Sequence, residues 1–136
     1  MAIEDALYTR LQAVAAVTAL VAARVYPSKT ENQNPTSPYI TYELLRTERE
    51  TAMGSDPGDV RSDIRYHIWA QDTSSLAGFD SAKAVALEVR GALQRYRGTS
   101  SGTIVQDVFL LDEFTSEEPD PGWSHRIIEF EAIWRE

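Results

Sequence analysis

Apolar residues recur at two different periods along this chain, and each change of period marks an element. Ile3, Leu7, Leu11 and Val14 step by three and four, which predicts an amphipathic helix over residues 3–15. The small apolar run after it predicts a short helical turn and then a brief extended piece ending at Pro27. Residues 28–37 are polar and read as a loop, long for a mere connection inside a small domain. From Pro38 the period becomes two. Ile40, Tyr42 and Leu44 share one face of a strand, and Thr41, Glu43 and Leu45 share the other. Gly54 and Asp56-Pro57-Gly58 supply turn chemistry. In the return strand, Ile64, Tyr66, Ile68 and Ala70 alternate with Arg65, His67 and Trp69.

The same sequence of patterns then repeats. Phe79, Ala82, Ala86, Val89, Leu93 and Tyr96 form the clearest helical stripe in the chain. Ser74 or Ser75 suits its start, and Gly98 suits a left-handed residue at its end. A third strand runs from Thr103 to about Phe114, and an acidic turn follows it. The last strand places Ile128, Phe130, Ala132 and Trp134 on the core face, with Glu129 and Glu131 outward. The expected fold is α+β: one two-layer domain over residues 1–136, ordered α-β-β-α-β-β. It has a four-stranded, mostly antiparallel sheet with both helices packed on one face. The other face carries Leu45, Trp69 and Ile133, and such a face is expected to meet a partner.

Composition narrows the chemistry. The chain has no cysteine, which excludes disulfides, thiolate nucleophiles and Cys-based metal sites. Its net charge is −8 and unevenly spread. From Thr99 onward, nine acids face only Arg126 and Arg135, which argues against a clamp on nucleic acid. The bland reading of that excess is solubility; the sharper one is a surface that DNA passes without sticking. The most apolar stretch, Ala13–Ala23, is about half a membrane span, so neither a span nor a signal peptide is expected. His67 and His125 read as ordinary outward strand residues, too far apart for a local metal motif. No nucleophile elbow accompanies any serine. Gly98–Gly102 leaves a helix and enters a strand, the reverse of a phosphate loop, and reads as a flexible connector. Trp69 and Trp134 read as core and edge packing, since no basic residues interleave with them. The expectation is a protein without catalytic residues, cofactor or metal.

Several segments, in this order, resemble the tail terminator (tail completion) family of long-tailed bacteriophages, prophages and gene-transfer particles. They are the opening helix that runs into Val25-Tyr26-Pro27, Ser37-Pro38-Tyr39-Ile40-Thr41-Tyr42, and Ile68-Trp69-Ala70 closing the second strand. The Ala/Val-rich helix, the acidic turn after Phe109–Phe114 and the closing Phe130-Glu131-Ala132-Ile133-Trp134 complete the set. The resemblance implies a non-enzymatic virion protein, six copies of which form a ring. Such a ring caps the tail tube once elongation ends and presents a surface to the head connector. Its partners are then itself, the tail tube protein and the connector or stopper, with DNA passing through the lumen and no membrane involved. It implies a place at the tail-neck junction, reached by assembly in the bacterial cytoplasm.

The resemblance supplies no contact residues, so the candidates come from the sequence. The loop 28–37 offers Lys29, Glu31 and Asn32, and the hairpin tip 50–59 offers Met53 and Asp56. Trp69 stands on the open face, and the acidic turn 117–122 offers Glu117, Glu118 and Asp120. Each of these loops reads equally as a plain solvated connection. Three rival readings differ in class: another neck ring protein (head-completion or stopper), a small-molecule-binding α+β module, and an acidic partner of a basic toxin.

Overall fold

The computed structural model describes residues 3–22, 24–27, 38–51, 57–72, 78–100, 102–116 and 123–135. Its helices are α1 (Ile3–Ala13), α2 (Ala15–Val21) and α3 (Gly78–Leu93). Its strands are β1 (Val25–Pro27), β2 (Tyr39–Thr51), β3 (Pro57–Gln71), β4 (Gly98–Ser100), β5 (Thr103–Ser116) and β6 (Trp123–Arg135). They form one sheet in the order β1-β2-β3-β6-β5-β4. The β1–β2 pair is parallel and every other pair antiparallel.

This corrects the expected four-stranded, two-helix layout: among the described residues the sheet has six strands and is mixed, and three helices are present. The extra helix arises because Val14 takes an extended backbone (φ −92°, ψ 113°) and divides the first apolar run. The two extra strands have three residues each, too short to display a period. One of them, β4, occupies the segment expected to be a flexible connector; Gly102, at φ +88°, makes its turn into β5. Gly98 therefore does not end α3. Arg95 takes the left-handed conformation instead, at φ 62°, and its N–H donates to the Val108 carbonyl at 2.7 Å. Phe79, expected in the core stripe, is exposed, and Val85 is buried in α3. Ser74 and Ser75 lie outside the described residues.

The alternation does place the core. Ile64, Tyr66, Ile68 and Ala70 of β3 and Ile128, Phe130, Ala132 and Trp134 of β6 are buried together with Ile3, Leu7 and Leu11 of α1 and Val85, Val89 and Leu93 of α3. Each buried Val, Leu, Ile or Phe side chain among them contributes about 1.5–3 kcal/mol by leaving water. Polar groups within the core are mostly matched. The Trp134 indole N–H donates to Ser62 Oγ at 2.9 Å, and Ser62 shares a 3.1 Å hydrogen bond with Thr47.

The Tyr66 hydroxyl is an exception, buried and without a hydrogen-bond partner among the described residues. Burial, reinforced by Tyr42 and Glu4, pushes its pKa far above the ordinary value. Removing an unpartnered buried hydroxyl relieves its desolvation, so Tyr66→Phe is expected to leave stability unchanged or raise it by up to about 1 kcal/mol. Urea unfolding reads this directly, and a loss larger than 1 kcal/mol would mean that the hydroxyl is bonded after all.

Candidate functional site

All three helices contribute to the core on one side of the sheet, and no helix covers the other, open side among the described residues. Alternation along β3 sends Arg65, His67 and Trp69 to the open side. The register then sets Trp69 opposite Tyr39 of β2 and His125 of β6. The Trp69 and His125 rings stack with centroids 3.7 Å apart and planes 12° from parallel. His125 is 6% exposed although it faces away from the helices.

A chain of hydrogen bonds crosses three strands at this point. His67 Nε2 lies 2.9 Å from Glu43 Oε1, and His67 Nδ1 lies 2.7 Å from His125 Nε2. A carboxylate only accepts, so His67 Nε2–H donates to Glu43. In the imidazole tautomer with that proton on Nε2, His67 Nδ1 is an acceptor, and His125 Nε2–H donates to it. Trp69 Nε1–H donates to Thr41 Oγ1 at 3.2 Å, which fixes the stacked indole. Tyr39 extends the aromatic group, stacked on Trp69 at 6.3 Å and edge-on to Trp123 at 6.2 Å.

Next to this cluster the face becomes ionic. Arg65 Nε donates to Glu129 at 2.7 Å, with Glu43 3.7 Å from the same guanidinium, and Arg61 donates to Glu131 at 3.1 Å. Burial raises the pKa of Asp63 in this lattice, and the nearby Glu131 adds to that effect. The arrangement is a preformed polar and aromatic platform. Both ring nitrogens of His67 are engaged within the protein, so neither is presented to a substrate. Among the described residues, no group of three His, Asp or Glu side chains is placed to hold a metal ion.

The helix side carries two shallow grooves, one beside each end of the strand order. The first, about 290 Å³, lies between α3 and the β5–β6 pair and is lined by Asp80, Lys83, Leu87, Arg90, Glu113 and Arg126. Glu113 accepts from Arg90 at 2.8 Å and from Arg126 at 2.5 Å. Burial by itself would raise the pKa of Glu113. The Arg126 hydrogen bond and charge, joined by Arg90, outweigh it and hold the carboxyl below its ordinary value. The second groove, about 420 Å³, lies between α1 and β2 and is lined by Glu4, Asp5, Pro27, Tyr42, Glu43 and Leu44. There burial raises the pKa of Tyr42, and the carboxylates of Asp5 and Glu4 raise it further.

Of the residues singled out from the sequence, only Trp69 falls within the described residues, and it lies in the open-face cluster. Lys29, Glu31, Asn32, Met53, Asp56, Glu117, Glu118 and Asp120 lie outside them. The cluster of Glu43, His67 and His125 was not anticipated. The two histidines are 58 positions apart, and only the β3–β6 register brings them together. Alternation did place His67 on the same face as Trp69.

A family model described as Tail completion protein gp17 matches residues 5–135, nearly the whole chain. The chain belongs to this family. Membership makes it a structural tail protein, in agreement with the resemblance drawn from the sequence. Among solved structures, a chain from the virion of a native gene transfer agent (GTA) particle is similar, with a TM-score of 0.75 at 22% identity. The match covers 99% of this chain and 96% of that one. At this level of identity the likeness is one of fold. No curated protein matches the chain.

Proposed function

We propose that copies of this tail completion protein form a closed ring, six in number as in the tail terminators that the sequence resembles. The ring caps the tail tube, ends its elongation and gives the head connector a docking surface. The match to the tail completion family over residues 5–135 carries this reading. The fold shared with a chain of a gene transfer agent virion supports a place in a particle of that kind. The acidic balance of the chain suits a lumen through which DNA moves without being held. The role is mechanical rather than catalytic, and the self-contained hydrogen bonding of His67 and His125 is consistent with it.

The test is electron microscopy of particles made in cells that lack the protein. Filled heads beside detached tails, some of them overlong, are the expected result. Joined particles with tails of the usual length would overturn the proposal.

A further inference from the structure

Both outer edges of the sheet are only partly covered. At one edge, β1 pairs with Ile40–Tyr42 and leaves the outer side of β2 from Glu43 to Thr51 without a strand beside it among the described residues. At the other, β4 pairs with Thr103–Val105 and leaves β5 from Gln106 to Ser116 in the same condition. Such rows of backbone N–H and C=O groups are templates for another strand. Neither open stretch contains a proline or a lysine to blunt it. Instead they carry exposed apolar side chains: Leu44 (43%) and Leu45 (41%) on β2, Leu111 (49%) and Phe114 (39%) on β5.

We infer that neighbouring copies join by antiparallel pairing of the open stretch of β2 in one copy with the open stretch of β5 in the next. This rests on the ring reading above and names its interface. Three features of the fold support it. First, the β2–β3, β3–β6 and β6–β5 pairs are all antiparallel, so β2 and β5 run in opposite directions. A sheet continued from copy to copy therefore makes them antiparallel neighbours. Second, the two short strands sit at opposite ends of the sheet, β1 level with Glu113–Thr115 and β4 level with Arg49. Each edge is thus a step, and a small axial offset seats one step on the other.

Third, the grooves beside the two edges are complementary. The groove beside β2 is lined by the acids Glu4 and Asp5 of α1 with no cation among the described residues, and the groove beside β5 holds Lys83, Arg90 and Arg126 against two acids. Each also contains a buried polar atom without a partner among the described residues. It is an acceptor, Glu4 Oε2, on the acidic side and a donor, Arg126 Nε, on the basic side. Two different edges, each complementary to the other, are what a closed head-to-tail ring requires. Strand addition gives main-chain hydrogen bonds, while the grooves set the specificity.

Cross-linking within particles tests the inference, because the chain has no cysteine of its own. Leu44 and Thr115 face the helix side, and Arg46 and Asp112 the open side. Matching of faces sets Leu44 beside Thr115, or Arg46 beside Asp112 if the strands slide by two residues. Within one chain the two strands are three strand spacings apart, roughly 14 Å, beyond the reach of a disulfide. Particles carrying Leu44→Cys with Thr115→Cys, and others carrying Arg46→Cys with Asp112→Cys, are oxidised and run on non-reducing gels. The expected result, for one pair or the other, is a ladder at multiples of the chain that collapses to monomer on reduction. Rings visible on the tails by microscopy with only monomer on both gels would overturn the edge pairing and leave the ring standing. Tails completed without any ring of this protein would overturn both.

Discussion

Phe130→Ala is expected to lower the free energy of unfolding by about 3–5 kcal/mol, the range for losing a fully buried aromatic side chain. Phe130 is at the centre of β6, paired with Ile64 of β3 and Leu110 of β5, and it is 0% exposed. Its ring meets Tyr66 edge-on at 6.0 Å, so the substitution removes an aromatic pair as well as buried area. β6 is flanked by strands on both sides, and little can move in to fill the cavity. A small domain has about 5–15 kcal/mol in total, so the variant would be marginal or unfolded at 37 °C. Chemical denaturation at 25 °C measures the effect. A loss below 1.5 kcal/mol would mean that the sheet can collapse around the cavity, contrary to the packing described here.

The residues at stake in that experiment were readable from the sequence. Ile128, Phe130, Ala132 and Trp134 alternate with Glu129, Glu131 and Ile133, and a two-residue period over seven positions leaves little choice of inner face. The stripe of α3 was legible for the same reason, though its ends were not. Phe79 lies in the first turn, where it is half exposed, and Gly98 had already entered a strand. β4 escaped, and β1 was expected only as an extended piece outside the sheet, because three residues carry no period and pair only through tertiary contact. The open-face cluster escaped for a related reason. Alternation assigns His67 to a face, but hydrogen bonding to His125 depends on which residue of β6 lies opposite which residue of β3. That register is fixed by the whole ladder and by no local signal. The bulges in β2 and β5, at Leu44/Arg46 and Leu110/Asp112, are likewise visible only in the pairing. They matter because they bring Arg46 and Asp112 to the open face of their respective edges.

Glu113→Gln is expected to cost about 2–3 kcal/mol at neutral pH, since it removes the charge behind two partly buried charge-assisted hydrogen bonds. Glu113 and Arg126 have side chains only 14% and 19% exposed, so the pair is poorly screened by water. The amide leaves Arg126 without its counter-charge in the groove beside β5. The pH dependence identifies the cause. The Glu113 carboxyl is held below its ordinary value in the folded chain, so folding binds fewer protons there than the unfolded state does. Its contribution is complete above the unfolded pKa of 4.5 and is lost as pH falls through the lower folded value. Asp63, whose pKa is raised, acts with the opposite sign and gains as it protonates. The stability difference between the wild type and Glu113→Gln should therefore be constant near neutrality and shrink on acidification, once Glu113 itself is protonated. A difference that stays constant down to pH 3 would assign the loss to altered packing instead. The same variant bears on assembly, because Glu113 holds Arg90 and Arg126 in the basic groove where the acidic groove of a neighbouring copy is proposed to dock. A folded Glu113→Gln protein that no longer completes tails would separate that contact from simple stability.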